Sequence, residues 1–412
     1  MIAHNLPRPD NKLPEPQLAC MVAGFGFCMY GSAEQDSLRA IDYHIKMGIK
    51  PDSYWMDTGW FNETPVNEED NWAPVKDRFP NGMRPISDYA HKNGLRSILW
   101  FEPERVTQSH TWLLKNRPDW VLHYSKVTHV NLFDLGNPDA LRWMTDLVDS
   151  RLKAEAIDVF RSDFNMGPFD HWRQNDTTDR QGVIENKWCS GYLAFWDELR
   201  RRNPHLLIDS CASGGKRNDL ETLRRSVIFW RSDRDRGYDG GRSMQCQTYG
   251  ISLWVPYYGA GAPDTGKITP YWFRSCFFPS MTLGYDPKKT FDYDLIRRMV
   301  DEWRQINHLL LLGDYYPLTP YDTSDSVWMA WQFDSPEKGE GVIQAFRRTN
   351  CPKADIRLIL RGLEPNASYE LTDFDAPGKN RVMSGKELMD SGLEVRADNA
   401  PGSILIKYQS RK

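Results

Sequence analysis

The chain predicts an α/β protein: a (β/α)8 TIM barrel followed by a C-terminal antiparallel β-sandwich. Three observations carry this. Between about residues 20 and 260, short apolar runs alternate with stretches whose apolar residues recur at helical spacing. Five of those runs end abruptly in acids, arginines and tryptophans, as barrel strands do at a functional face. Beyond residue 318 the texture changes to short alternating runs separated by Pro, Gly and Asn, the pattern of an antiparallel sheet domain. A length of 412 residues exceeds one ordinary core and suits a barrel plus a smaller domain.

Residues 1–18 are rich in Pro and Asn and read as an extended lead-in, 19–317 as the barrel and 318–412 as the β-sandwich. The expected barrel strands are 21–25, 53–56, 96–101, 130–135, 158–162, 206–210, 227–232 and 251–255. Helices are expected at 36–47, 83–93, 140–154, 188–202 and 219–226, with Asp139 and Asp219 as N-caps. A long amphipathic helix over 293–312 ends at Gly313. Strands of the second domain are expected at 327–333, 341–347, 356–360, 368–371, 393–397 and 403–408.

Composition bounds the function. Hydrophobic residues at 40% and charged residues at 26% describe a globular chain. A net charge of −4 gives no reason to expect nucleic acid or an anionic membrane as partner. No apolar run is long enough for a membrane span. The start lacks a basic stretch followed by an apolar core, so a cytoplasmic location is expected. The seven Cys have no close-spaced pairs and read as free thiols in a reducing compartment. No GxGxxG, Walker, HExxH or nucleophile-elbow pattern occurs, so neither a cofactor nor a metal is expected. Sixteen Trp are many: most fill core gaps, but sugar sites also use flat rings. The sequence leaves a homo-oligomer open.

The strand ends carry the chemistry. Arg161, Asp163 and Asn165 lie two apart, and strand alternation puts them on one face. Arg231 and Asp233 end a second apolar run in the same way. Two carboxylates at strand ends, each near an arginine, point to paired-carboxylate chemistry, most commonly glycoside hydrolysis. Further polar ends are Asp57, Thr58 and Trp60, then Trp100, Glu102 and Glu104, then Cys211 and Ser213 before Gly214-Gly215. A lone strand-end Asp often only caps a helix, Trp60 and Trp100 have rim packing as an equal reading, and Cys211 suits a small buried site. Five such ends in series are harder to explain by structure alone. Asp57, Glu102 and Asp163 also admit a rival reading, metal-assisted aldol or enolate chemistry.

These ends resemble the retaining α-galactosidases of glycoside hydrolase family 36, in the melibiase-like clan. The matching blocks are Tyr54-Trp55-Met56-Asp57-Thr58-Gly59-Trp60, Leu99-Trp100-Phe101-Glu102-Pro103-Glu104-Arg105-Val106, Arg161-Ser162-Asp163-Phe164-Asn165, Asp209-Ser210-Cys211-Ala212-Ser213-Gly214-Gly215 and Trp230-Arg231-Ser232-Asp233. The resemblance implies a double-displacement exo-α-glycosidase acting on a small oligosaccharide or glycoside, with Asp163 as nucleophile and Asp233 as acid/base. Asp233 must then be protonated at the working pH, through burial or the approach of Asp163. It further implies Asp57, Thr58, Trp60, Trp100, Glu102, Arg161, Asn165, Cys211, Ser213 and Arg231 around the sugar. α-N-acetylgalactosaminidase or transglycosylase activity, or a non-catalytic sugar-binding barrel, are its alternatives. The chain departs from the family pattern where Thr58 stands for a second Asp, Arg161-Ser162 for Lys-Trp, and Asp235 one residue early for a further Asp. The family's arginine before its fourth strand has no match near residues 128–131. The large N-terminal β-sandwich of that family has no counterpart either, which reads as a compact, divergent subgroup or a fragment.

Overall fold

The structure, a computed structural model, describes residues 5–22, 30–127, 129–233, 240–264 and 267–411. It divides into two compact units, residues 5–233 with 284–288, and residues 234–283 with 289–412.

In the first unit the elements run β1 (Gln17–Met21), α1 (Glu34–Lys46), β2 (Ser53–Met56), α2 (Arg84–Lys92), β3 (Arg96–Phe101), β4 (Arg105–Thr107), α3 (Thr111–Asn116), β5 (Val121–Leu122), β6 (Val130–Phe133), α4 (Pro138–Ala154), β7 (Val159–Ser162), α5 (Phe169–Asn175), α6 (Val183–Arg202), β8 (Leu207–Ser210) and α7 (Leu220–Leu223). Five strands pair in parallel in the order β1-β2-β3-β7-β8. Parallel neighbours need helical crossovers, and buried parallel strands read as apolar runs, which is why this part of the pattern was legible. Residues of β2, β3, β7 and β8 are buried nearly throughout, and Phe160, Ile208, Leu99 and Met56 join the helices' Phe195, Trp196, Val148 and Ile86 in one core.

Four expectations need correction here. The first strand is Gln17–Met21, and residues 23–25 of the expected 21–25 lie outside the described residues, as do Cys28, Thr128 and Asp235. The run at 130–135 does form a strand, but β6 pairs antiparallel with β4 and β5 in a small separate sheet. Apolar alternation marks a strand and not its partner. Among the described residues the run at 227–232 forms no named strand and makes a parallel bridge, Asp209 to Val227. Its next donor is diverted, because the Asp209 side chain accepts the Phe229 N–H at 2.7 Å. Finally, α4 is capped by Asn137, whose Oδ1 accepts from the N–H groups of Asp139 and Ala140. Pro138 fits the first helical position, so the cap falls before it. Asp219 does cap α7, accepting the Thr222 N–H at 2.9 Å.

The second unit contains α8 (Arg242–Ile251), β9 (Gly259–Gly261), α9 (Pro270–Arg274), β10 (Ser280–Leu283), α10 (Tyr293–Leu312), β11 (Asp314–Pro317), β12 (Trp328–Ser335), β13 (Glu340–Arg347), β14 (Asp355–Leu358), β15 (Ser368–Asp373), β16 (Arg381–Ser384), α11 (Gly385–Asp390), β17 (Leu393–Arg396) and β18 (Gly402–Arg411). The expected strand at 251–255 is instead the end of α8 and the turn after it; the parallel pair here is β9 with β10. A six-stranded antiparallel sheet, β11-β12-β13-β18-β15-β16, and the hairpin-like pair β14-β17 enclose a core that includes Trp328, Ile343, Leu358, Leu393, Ile406 and Tyr408. The expected antiparallel sheet domain is therefore present, with β11 and β16 added to the strands read from sequence.

Candidate active site

Asp163 follows β7 directly, and the ends of β3 and β8 supply its surroundings. The residue is buried, at 8% exposure. One oxygen, Oδ2, accepts from Trp100 Nε1 at 3.0 Å and Asn165 Nδ2 at 2.8 Å. The other accepts the Phe164 N–H at 2.7 Å and the Ser213 N–H at 3.3 Å. The Cys211 thiol adds a donor, and burial pushes that thiol well above its ordinary range, keeping it protonated. Burial alone would raise the Asp163 carboxyl, but the Arg161 charge and the donors of Asn165, Cys211 and Trp100 outweigh it and hold it below the usual carboxylate range. The result is an ionised, oriented carboxylate.

Arg161 lies beneath it, buried, with Nη1 donating to Asp209 at 2.5 Å and Nε 3.4 Å from Asp57. Its guanidinium stacks 4.3 Å from the Trp55 ring centre. Asp57 is buried, accepts from Trp55 Nε1 at 3.0 Å and from the Thr58 N–H at 2.9 Å, and sits near the Asp163 charge. Burial first, with Asp163 adding to it, pushes Asp57 up to about 6 despite Arg161. Arg161, at the end of β7, and Asp163 and Asn165, in the segment just after it, do come together: Asn165 donates to Asp163 and the Arg161 charge acts on it.

Glu102 accepts the Asn165 N–H at 2.5 Å and Arg105 Nε at 2.7 Å, so it anchors the loop that carries Asn165. Ser213 has φ +45 and donates its hydroxyl to Asn165 Oδ1 at 3.0 Å. Trp60 is fully buried, donates Nε1 to the Trp100 carbonyl at 2.8 Å and packs on Phe101, so it braces Trp100 from behind. Thr58 is buried next to Asp57.

The second carboxylate is placed differently. Arg231 is buried, and Asp233 is exposed rather than buried. Gly214, at φ +82, lies against the backbone of Ser232 and Asp233: a Cβ there would stand 2.8 Å from the Asp233 nitrogen. A Cβ on Gly215 would stand 2.5 Å from the Arg231 carbonyl oxygen. The two glycines permit this backbone-on-backbone approach. Ser213 therefore donates to Asp163 while its neighbour Gly214 rests on Asp233.

Arg217 was not among the residues read from the sequence. It donates Nη1 to both oxygens of the buried Glu104, at 2.8 and 2.9 Å, and Nε to the Cys211 carbonyl at 3.1 Å. Glu102 and Glu104 are thus both engaged by arginines.

Comparison with known proteins bears on this arrangement. Residues 27–310 match the family described as Melibiase, more than half of the chain. The chain belongs to the melibiase family. Residues 328–411 match the glycosyl hydrolase family 36 C-terminal domain. Among its relatives, α-galactosidase Mel36A of Lactobacillus acidophilus is 28% identical over 393 residues, covering 88% of this chain and 50% of its own. α-Galactosidase C of Emericella nidulans is 28% identical over 408 residues, covering 92% and 51%. The chain thus spans about half the length of the curated relatives it matches. The solved α-galactosidase of Lactobacillus brevis superposes with a TM-score of 0.81 at 23% identity, over 97% of this chain and 55% of that one. The family 36 α-galactosidase AgaA of Geobacillus stearothermophilus does so at 0.80 and 21%, over 96% and 56%. Variants of that enzyme have been solved with raffinose and with stachyose. These likenesses show the fold, a (β/α)8-type barrel with a C-terminal β domain. Among the described residues no helix is long and apolar enough to cross a membrane.

Proposed function

We propose that this chain is a retaining exo-α-glycosidase of the α-galactosidase kind, with Asp163 as nucleophile and Asp233 as acid/base. The observation that carries the reading is the Ser213-Gly214 turn, which donates to the Asp163 carboxylate and rests on the Asp233 backbone. One short, glycine-dependent turn thereby ties the two acids together. In the first step Asp163 Oδ attacks the anomeric carbon while Asp233 gives its proton to the departing glycosidic oxygen. In the second, Asp233 takes a proton from water, and that water displaces Asp163 from the sugar, restoring both groups.

The donors on Asp163 support the nucleophile assignment, since they favour the charged form that attacks. Asp57, Thr58, Trp100, Asn165, Cys211, Ser213, Arg161 and Glu102 then form or back the sugar subsite, and Trp60 and Arg231 brace it. The substrate class is a small α-linked oligosaccharide, as the raffinose and stachyose complexes of the relative support. Thr58 offers a weaker acceptor than a carboxylate, at a cost of about 1–3 kcal/mol for a sugar hydroxyl that lacks a partner. We therefore also propose that plain α-galactosides are poorer substrates than sugars altered at C6 or C2. We keep the functional division at 317/318, a reading supported by the family matches ending at 310 and resuming at 328.

A panel of aryl α-glycosides differing at C2, C4 and C6, with NMR of the first-formed anomer, tests all of this. Release of the α-anomer of a galacto-configured sugar is expected. Release of the β-anomer, or no turnover of any galacto-configured glycoside, overturns the reading.

A further inference from the structure

We infer that Arg217, paired with Glu104, is the positioning group that holds the donors of Asp163 in place, an inference that rests on Asp163 being the nucleophile. Arg217 touches neither acid. Its side chain is 12% exposed and that of Glu104 is fully buried. A buried arginine is costly unless every nitrogen is matched, and here each one is. Nη1 meets both Glu104 oxygens, Nε meets the Cys211 carbonyl, and Nη2 donates to the carbonyl and hydroxyl of Ser162 at 3.2 Å. The guanidinium also lies 4.8 Å from the Tyr192 ring centre, 5.2 Å from Trp196 and 5.6 Å from Phe164.

The partners are what give this cluster a consequence. Ser162 precedes Asp163 in the chain. Cys211 supplies a thiol donor to Asp163 and begins the turn whose Ser213 N–H is another. Glu104 stands two residues from Glu102, which grips the Asn165 N–H and so aims the amide that donates to Asp163. One planar fork therefore joins the three strand ends that carry Asp163 and its donors. A lysine keeps the charge but cannot span three acceptors with fixed geometry. Loss of the fork lets the turn drift, weakens the donors, and disfavours the ionised form of Asp163.

The test uses a galacto-configured cyclophellitol aziridine, an electrophile that esterifies the nucleophile of a retaining enzyme, with the labelled residue mapped by mass spectrometry. Wild type should label at Asp163, and its acid limb is the reference for the variants. Arg217→Lys and Arg217→Ala should label about 10–100-fold more slowly, with the acid limb moved to higher pH. Added guanidinium ion should restore part of the rate to Arg217→Ala and not to Arg217→Lys. Folded variants with an unshifted acid limb and no guanidinium rescue would overturn the inference, whatever their overall rate. If neither Arg217 variant folds, Glu104→Gln decides by the same limb: a shift supports the inference and no shift overturns it. Labelling of wild type at another residue is a distinct outcome, which overturns the nucleophile assignment itself.

Discussion

The carboxylate of Asp163 is buried and accepts from Trp100, Phe164, Asn165 and Ser213, whereas Asp233 stands exposed, with Gly214 against its backbone. The two acids share a turn but not an environment. A nucleophile needs one protonation state and one orientation, which a ring of donors secures. An acid/base must gain and lose a proton and must meet water, and a saturated, buried carboxylate could do neither readily. The difference between the two sites is thus the difference between their proposed roles. Of the two expected causes that would keep Asp233 protonated, burial or the approach of Asp163, its exposure removes the first.

The comparison breaks first at Asp163. Asp163→Ala should lower kcat by at least about 10⁴-fold on every glycoside, whatever its leaving group. Thermal unfolding must be followed alongside, because the donors aimed at Asp163 would lose their acceptor. A residual rate within tenfold of wild type on any substrate would remove Asp163 from the attacking role.

Asp233 should behave conditionally. Asp233→Ala should cost about 10²–10⁴-fold on a disaccharide, where the departing oxygen needs a proton. On a dinitrophenyl glycoside the first step should be nearly intact, and added azide should recover turnover by replacing the activated water. Equal losses on both substrates would place Asp233 outside the chemistry and leave the contrast between the two acids without meaning.

Legibility from sequence follows the range of the interactions. Strands β2, β3, β7 and β8 were readable because burial on both faces leaves an apolar run, and the polar residues after it mark the functional end. Arg161, Asp163 and Asn165 were readable as one group because they lie close together in the chain where β7 ends. The partner of β6 was not readable, since its residues fit a parallel or an antiparallel neighbour equally well. Strand β9 is Gly259–Gly261, too short and too small in side chains to register as a strand. Arg217 escaped because its function depends on reaching Glu104, 113 residues away in the chain. The one available signal was its place two residues after Gly214-Gly215, and a cation there reads equally well as surface charge.

The turn itself can be tested. Gly214→Ala puts a side chain at φ +82 with its Cβ 2.8 Å from the Asp233 nitrogen, so the turn and the Asp233 segment must separate. The backbone strain should cost about 1–3 kcal/mol of stability. Turnover should fall by about 10–100-fold on the disaccharide, since the displaced acid is the one that matters there. On the dinitrophenyl glycoside the loss should be smaller. The reverse pattern would mean that the turn serves Asp163 alone.

The smallest expected effect concerns Asp57, the third carboxylate, which sharpens the contrast because its charge is the least secure. Asp57 is pushed up to about 6, while Asp163 is held below the ordinary carboxylate range. As pH falls through 6, Asp57 should lose its charge first, and with it an acceptor beside Arg161 and Thr58. kcat/KM at pH 5 should then be about a tenth of its plateau. Asp57→Asn should be less active but flat over the same range. Stability supplies an independent sign. A carboxyl raised in the native state binds its proton there more tightly than in the unfolded chain, so its contribution to stability falls as pH rises from about 4 to about 6. Asp163, lowered in the native state, contributes stability that is present above its unfolded value and is lost only as pH falls further. Unfolding of Asp57→Asn should therefore lack the decline that wild type shows across that window. An acid limb that survives in Asp57→Asn would assign it to another group and return Asp57 to a purely structural partnership with Arg161.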